Sequence, residues 1–366
     1  MIGHAPQRKE KSAQAASAAR ARQTRSTQWL DLATTRATEE NVAYQQRRRL
    51  VESGLAFLDP LYLGSRQASV PSLRGGGAGE LDEWLEQEDS RIRATDKQLS
   101  IAEDRAKDVA RALDLIYPGA EQYRTGSVEH GDALSPLNDV DLGVILTDRP
   151  DLGPGKDQSG PQEEMRKTAD RLKEILGNKF PNLTVTTEGK RSIILDFDPQ
   201  ANGDFTCDVI LALPVEGGDL LIPNTDIPEG WDVNDPIGHA KLLRQAKIES
   251  NGSLQRTVRL VKHWRDLHGK PLYSWNIKTL ALETGSQPIS PFEGLLRFFS
   301  NAVRSIMEGP TENPGSMNYP PPTVAVDRFE ATALLLEARD TVERARIFAS
   351  YGDMDRAKSE LRRLFT

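Results

Sequence analysis

Cysteine is nearly missing from this chain. One residue in 366, Cys207, can close no intramolecular disulfide, so packing has to hold the fold, and a reducing compartment is the natural setting. Aromatic residues are also sparse at 6%. No apolar stretch approaches the roughly 20 residues a helix needs to span a bilayer, and the first residues carry no apolar core of the signal-peptide kind. Export and membrane partners are therefore not expected, and a cytoplasmic protein is. Nor is there an excess of positive charge. Forty-seven Lys and Arg stand against 54 Asp and Glu, a formal charge of −7. A long polyanion would meet no general attraction, so stable nucleic-acid binding is not expected either.

The length that remains is enough for two packed units, because single cores stop growing well before this size. The first 27 residues are rich in Ala, Arg, Gln, Lys and Ser and hold few large apolar groups, the composition of a mobile tail. Residues 28–63 alternate helix-like stretches with Leu and Trp anchors, and Gly75, Gly76 and Gly77 mark a flexible break. Residues 1–85 are accordingly read as an N-terminal extension. Thr95 with Gln98 reads as a capping box, and Ile101, Val109, Leu113 and Ile116 follow near helical spacing, so a helix is expected to end near Pro118. Strands are expected at 140–146, 183–187, 191–198 and 205–213, with a helix carried by Met165, Ala169, Leu172, Ile175 and Leu176 between the first two. Residues 86–215 thus form an α+β core, a mixed sheet with flanking helices. Beyond Pro214 strand signals fade. Helices are expected at 237–268, 277–284, 292–308 and 327–364, making 216–366 a helical C-terminal lobe.

Chemistry concentrates around one constellation. Gly126-Ser127 precedes Asp139-Val140-Asp141 at the start of the first strand. Strand side chains two apart share a face, so both carboxylates point the same way while Val140 and Leu142 face the core. Like charges so close repel, and the arrangement calls for a cation. Mg²⁺, bound through carboxylates and substrate phosphates, supplies it. Asp208, alone among nearby acids in lying within an apolar strand, can complete a two-metal site of roughly 3.5–4 Å spacing; Asp196, Asp198 and Asp204 compete for that role. Gly126 lets backbone approach a phosphate, and Ser127 offers a hydroxyl to it.

These residues, Gly-Ser, a spacer, Asp-x-Asp and a later strand Asp, resemble the signature of polymerase β-like nucleotidyltransferases. Arg259-Leu260-Val261-Lys262-His263-Trp264 is similar to a stretch in 2′–5′-oligoadenylate synthetases, and Ser274-Trp275 falls where cyclic GMP-AMP synthase and its bacterial relatives place Ser-Tyr. With Tyr123-Arg124-Thr125-Gly126-Ser127 and His130-Gly131-Asp132, residues 95–366 resemble the bacterial cGAS/DncV-like enzymes, the CD-NTases of CBASS anti-phage defence. The resemblance implies template-independent joining of ATP and other NTPs, with pyrophosphate release, into a cyclic di- or trinucleotide that acts on a separate effector. It implies two Mg²⁺ (or Mn²⁺) ions held by Asp139 and Asp141, with Asp208 assisting deprotonation of the attacking ribose hydroxyl. It further implies a triphosphate held by Gly126, Ser127, Lys262 and Ser274, and a base stacked on Trp275. A helical apolar stripe of Leu254, Val258, Val261 and Trp264 leaves Lys262 off the core and free for an anion.

Plainer readings stand beside these. No Cys or second His accompanies His130 at ligand spacing, so it is read as a loop histidine contacting backbone. His263 reads as surface or packing, and His239 and His268 have no partners that suggest catalysis. Arg256, Arg259, Lys262 and Arg265 form a basic stripe that fits triphosphate steering or a solvated face. Cys207 reads as a small core residue. Two rival functions remain: a nucleotidyltransferase acting on an RNA 3′ end or a protein, and a degenerate member that binds nucleotide without turnover.

Overall fold

A computed structural model describes residues 76–153, 160–198, 205–215, 219–226, 230–285, 287–311 and 325–366. The tail at 1–27, the stretch 28–63 and Asp204 lie outside them. Helix α1 (Gly76–Ile92) opens the described chain. The break expected at the glycine run is therefore where a helix starts, and residue 85 falls inside it: Leu81 and Leu85 are completely buried.

Helix α2 (Asp96–Ile116) begins at the expected cap. The Gln98 amide donates to Thr95 Oγ1 at 3.2 Å, and the Thr95 amide donates to Gln98 Oε1 at 2.9 Å. Its buried stripe is Ala102, Ala106, Val109, Ala112 and Leu113. Ile101 sits one position off that stripe and is exposed, because the helix lies against the sheet through small alanines rather than the first large residue of the pattern.

The sheet runs β1 (Glu121–Thr125), β2 (Asp139–Ile145), β5 (Thr206–Pro214), β4 (Ile193–Asp196) and β3 (Thr184–Thr186) in spatial order; β2 and β5 are parallel and the other pairs antiparallel. A short helix, α3 (Gly126–His130), joins β1 toward β2, and α4 (Gly160–Leu176) crosses between β2 and β3. Two further strands, β6 (Leu220–Pro223) and β7 (Trp231–Asn234), extend the sheet from the end of β5. They fall beyond Pro214, where no strand was expected, and before the first helix expected at 237. At four residues each they are too short to show alternation, and pairing rather than propensity makes them strands.

The alternation of β2 and β5 divides the sheet cleanly. Leu142, Val144, Val209 and Leu211 pack with Val109, Leu113, Met165 and Leu172 of α2 and α4. Cys207 is buried in the same layer, where burial first and the nearby Asp208 and Asp141 second push its thiol well up; it is a core residue. The opposite face carries the acids at one end and a small cluster of Tyr123, Ile145, Ala212, Leu220 and Ile222 at the other. Gly143 is required there. A Cβ on it would lie 2.0 Å from the Tyr123 ring, which crosses directly over the strand.

Helices α5 (Pro236–Glu249), α6 (Ser253–Leu267), α7 (Ser274–Glu283), α8 (Pro291–Glu308), α9 (Ala325–Ser350) and α10 (Met354–Arg362) follow. The expected helix 237–268 is two, because Asn251 and Gly252 adopt φ of 49° and 78°, left-handed geometry that ends α5. Gly352, at φ 79°, splits the expected 327–364 helix in the same way. Leu254, Val258, Val261 and Trp264 form the buried stripe of α6 as its spacing required, joined by Phe298 and Phe299 of α8, Leu335 and Val342 of α9, and Leu81 and Leu85 of α1. No described helix is long and apolar enough to cross a membrane.

Candidate active site

The β-ladder brings the carboxylates together. Asp141 faces Asp208 across the parallel β2–β5 pair, and Asp139 faces Thr206 one step along, so the three acids share one sheet face on neighbouring strands about 4.8 Å apart. Asp196 lies on that face too, but on β4, a strand further from β2. Asp198 lies beyond β4 and accepts a bond from Asn182 at 3.3 Å. Register therefore favours Asp208 as the third acid.

Their electrostatics are strained. Burial, then the neighbouring Asp139 and Asp208 charges, push the Asp141 carboxyl well above its ordinary range, opposed by Lys278 and Lys262. Asp208 is raised as well, mainly by burial; the Ser192 hydroxyl, donating at 2.9 Å, and that of Thr206, at 3.3 Å, counter this. Gly126 presses against the same cluster. Its φ is 79°, and a Cβ would stand 1.7 Å from Asp141 Oδ2. No other residue fits there.

This donor set suits a hard divalent cation. It is all oxygen and negative, and its mutual repulsion is what a cation removes. Among the described residues no trio of Asp, Glu, His or Cys closes a cage around a metal by itself. Mg²⁺ does not need one, since it normally takes one or two carboxylates and completes its shell with water and substrate phosphate.

Beside the acids lies a cavity of about 310 Å³. Gly126, Ser127, Asp139, Asp141, Lys262, Ser274 and Trp275 all line it; Asp208 does not. The structure thus brings seven of the eight expected site residues to one space, with Asp208 beside Asp141 on the neighbouring strand.

The helical wall differs from expectation in one respect. Lys262 is not free: it is 6% exposed, and its ammonium donates to the Asp132 carbonyl at 2.9 Å and to Asp132 Oδ1 at 3.0 Å. Its position on α6 turns it toward the loop after α3, which a helical wheel of α6 alone does not contain. Lys278 of α7 reaches the same carboxylate, 3.3 Å from Asp132 Oδ2, and sits 2.7 Å from His130 Nδ1. A charged Lys278 can only donate, which makes Nδ1 the acceptor; burial lowers the Lys278 pKa, and the Asp132 charge opposes it. The Asp132 carboxyl is held below its usual range because Lys278 and Lys262 outweigh the opposing effect of its burial.

Sequence reasoning missed Lys278, although it lies four residues after Ser274 and three after Trp275, one helix face in common. It missed Arg191, which lines the cavity and pairs with Asp232. His130 was also misread. It is 3% exposed and meets Lys278, His239 and Trp275 through its side chain rather than backbone. Burial first, then the Lys278 charge, lower its pKa to about 3. The basic stripe of α6 is neither solvated nor free: Arg256 pairs with Glu86, Arg259 with Asp89 and Arg265 with Asp266, while the Arg265 guanidinium also donates to Ser274 Oγ at 2.7 Å. His263 packs flat on Phe365, as a packing residue should.

No protein-family model and no curated protein sequence matches this chain. Solved structures do, and they show the fold: that of polymerase β-like nucleotidyltransferases, with a helical C-terminal region. More particularly, the chain is similar to bacterial CD-NTases. The structure of Escherichia coli MS115-1 CdnC with ATP matches at a TM-score of 0.56 and 17% identity, over 78% of this chain and 96% of that one. Bradyrhizobium diazoefficiens CdnG in complex with GTP matches at 0.55 and 16%, over 77% and 99%. The Cid1 poly(U) polymerase bound to MgATP matches at 0.51 and 16%, over 72% and 94%. At these identities the likeness establishes the fold.

Proposed function

We propose that this protein is a template-independent nucleotidyltransferase that joins NTPs through phosphodiester bonds, releases pyrophosphate and closes a cyclic di- or trinucleotide acting on a separate effector in anti-phage defence. The observation that carries the reading is a cavity lined by two sheet carboxylates, Asp139 and Asp141, with Asp208 beside Asp141 on the next strand, and by Lys262 and Lys278 from the helices. Asp139 and Asp141 would hold two divalent ions, Mg²⁺ or Mn²⁺. When bound, these neutralise the triphosphate and the departing pyrophosphate, charge stabilisation that dominates phosphoryl transfer.

The chain supplies the rest. Gly126 brings backbone close to the phosphates, and Ser127, Lys262 and Ser274 contact their oxygens; Lys278, on the same wall, adds a second ammonium. Trp275 offers a ring to the donor base. Asp208, held by the hydroxyls of Ser192 and Thr206, would accept the proton of an attacking ribose hydroxyl that reaches it beside Asp141. The helical residues orient the nucleotide against the sheet, converting an encounter into an intramolecular geometry.

Incubation with labelled NTPs and Mg²⁺ or Mn²⁺, followed by phosphatase, tests this. Phosphatase-resistant small products support the cyclase. Labelled RNA or protein would instead identify a macromolecule-modifying transferase, the alternative that Cid1 keeps in view, and unchanged NTP would indicate a binding protein.

A further inference from the structure

Against the Trp275 indole lie two buried histidines with no part in the scheme above, His239 and, at the cavity wall, His130. His239, on α5, is 1% exposed, and its ring centroid is 4.0 Å from that of Trp275 with planes inclined at 43°. His130 meets both rings edge-on, 5.8 Å from His239 and 6.4 Å from Trp275. Trp275 and His130 border the cavity and His239 does not, so His239 contacts the indole from outside the space a substrate would enter. Neither ring nitrogen of His239 has a hydrogen-bond partner among the described residues, nor has Nε2 of His130. Such nitrogens are costly to bury, so the pair weakens the core where an ordinary apolar side chain would not. Burial first and the Lys278 charge second lower the His239 pKa to about 3, leaving an uncharged ring against the indole near neutral pH.

We infer that His239 is a positioning residue for base recognition: packed obliquely against the Trp275 indole, it holds that ring in place for an incoming base, with His130 bracing the edge. The inference rests on the proposed role of Trp275 as base platform. An aromatic ring so held cannot tilt away from an incoming base, and the stack recognises any nucleoside triphosphate over bare polyphosphate. Lys262, Lys278 and Ser274 would bind both ligands alike, so the base-dependent part of affinity isolates the stack.

The test is calorimetric binding of ATP and of inorganic tripolyphosphate, each with Mg²⁺, to the full chain. Trp275→Ala should reduce the preference for ATP over tripolyphosphate by about tenfold or more, and His239→Ala by roughly three- to tenfold, both within the range of base–aromatic stacking. His239→Phe, which restores a ring without the unpartnered nitrogens, should return the preference to within about twofold of wild type. A structural role alone would lower thermal stability in His239→Ala without changing this ratio, and that result would overturn the inference, as would failure of His239→Phe to restore it. An unchanged ratio in Trp275→Ala would remove the platform itself, and the inference with it; an altered ratio there with none in His239→Ala removes only the inference.

Discussion

The sheet wall of the cavity and its helical wall carry opposite charge and hold it in opposite ways. On the sheet, Asp139, Asp141 and Asp208 stand side by side, and burial with mutual repulsion raises the Asp141 and Asp208 carboxyls. Across the cavity, Lys262 and Lys278 converge on one buried carboxylate, Asp132, and Arg265 leans on Asp266. One wall sets like charges against each other, whereas the other pairs its cations with carboxylates. The sheet wall should therefore govern chemistry with little effect on stability, and the helical wall should govern stability and affinity.

The largest effect that separates the walls is Asp139→Asn with Asp141→Asn. It should abolish turnover, by more than about a thousandfold, while stability to denaturant stays within about 1 kcal/mol of wild type or rises, since amides of similar volume remove repulsion. Loss of cooperative unfolding in this variant would erase the distinction. Next is Asp132→Ala. Stranding two buried ammonium groups should cost about 3–5 kcal/mol of stability, read by denaturant unfolding, in line with breaking a buried pair from one side. The sign with pH is fixed: a carboxyl whose folded pKa is lowered stabilises above its unfolded value, about 4, and loses that contribution as pH falls through the folded pKa. Asp132→Asn should accordingly flatten the acid limb of the stability profile.

A smaller effect is expected from Lys262→Ala and Ser274→Ala, each weakening binding of an ATP analogue by about tenfold, as for a charge-assisted hydrogen bond, with adenosine affinity nearly unchanged. Equal losses for both ligands would mean these residues act through structure rather than phosphate. The smallest effect should come from deleting residues 1–27, which lie outside the described residues. Basal NTP turnover should stay within a few-fold of wild type, because that segment carries few apolar anchors. Complete loss of turnover in a cooperatively folding truncation would show that the catalytic architecture extends into it.

The sheet wall was legible in the sequence because its logic is local. Asp139 and Asp141 are two apart on a strand whose buried half is obvious, and Gly126-Ser127 precedes them by a short interval. The capping box of α2 and the apolar stripe of α6 were legible for the same reason. The helical wall was not. Asp132 meets Lys262 and Lys278 across 130 and 146 residues of chain (262 − 132 and 278 − 132), and nothing in the spacing of α6 shows that Lys262 is buried. Strands β6 and β7 were hidden because they depend on an edge supplied by β5. His239 was dismissed for having no partners in sequence, and its partner is an indole on another helix.

Pyrophosphate release from a mixture of NTPs with Mg²⁺, measured on wild type and on the Asp139→Asn, Asp141→Asn protein at matched folded fraction, tests the central claim most directly. Wild type should give steady release and a phosphatase-resistant small product, and the variant neither. Equal release from both proteins, or wild type that binds ATP with Mg²⁺ yet releases nothing, would contradict that claim.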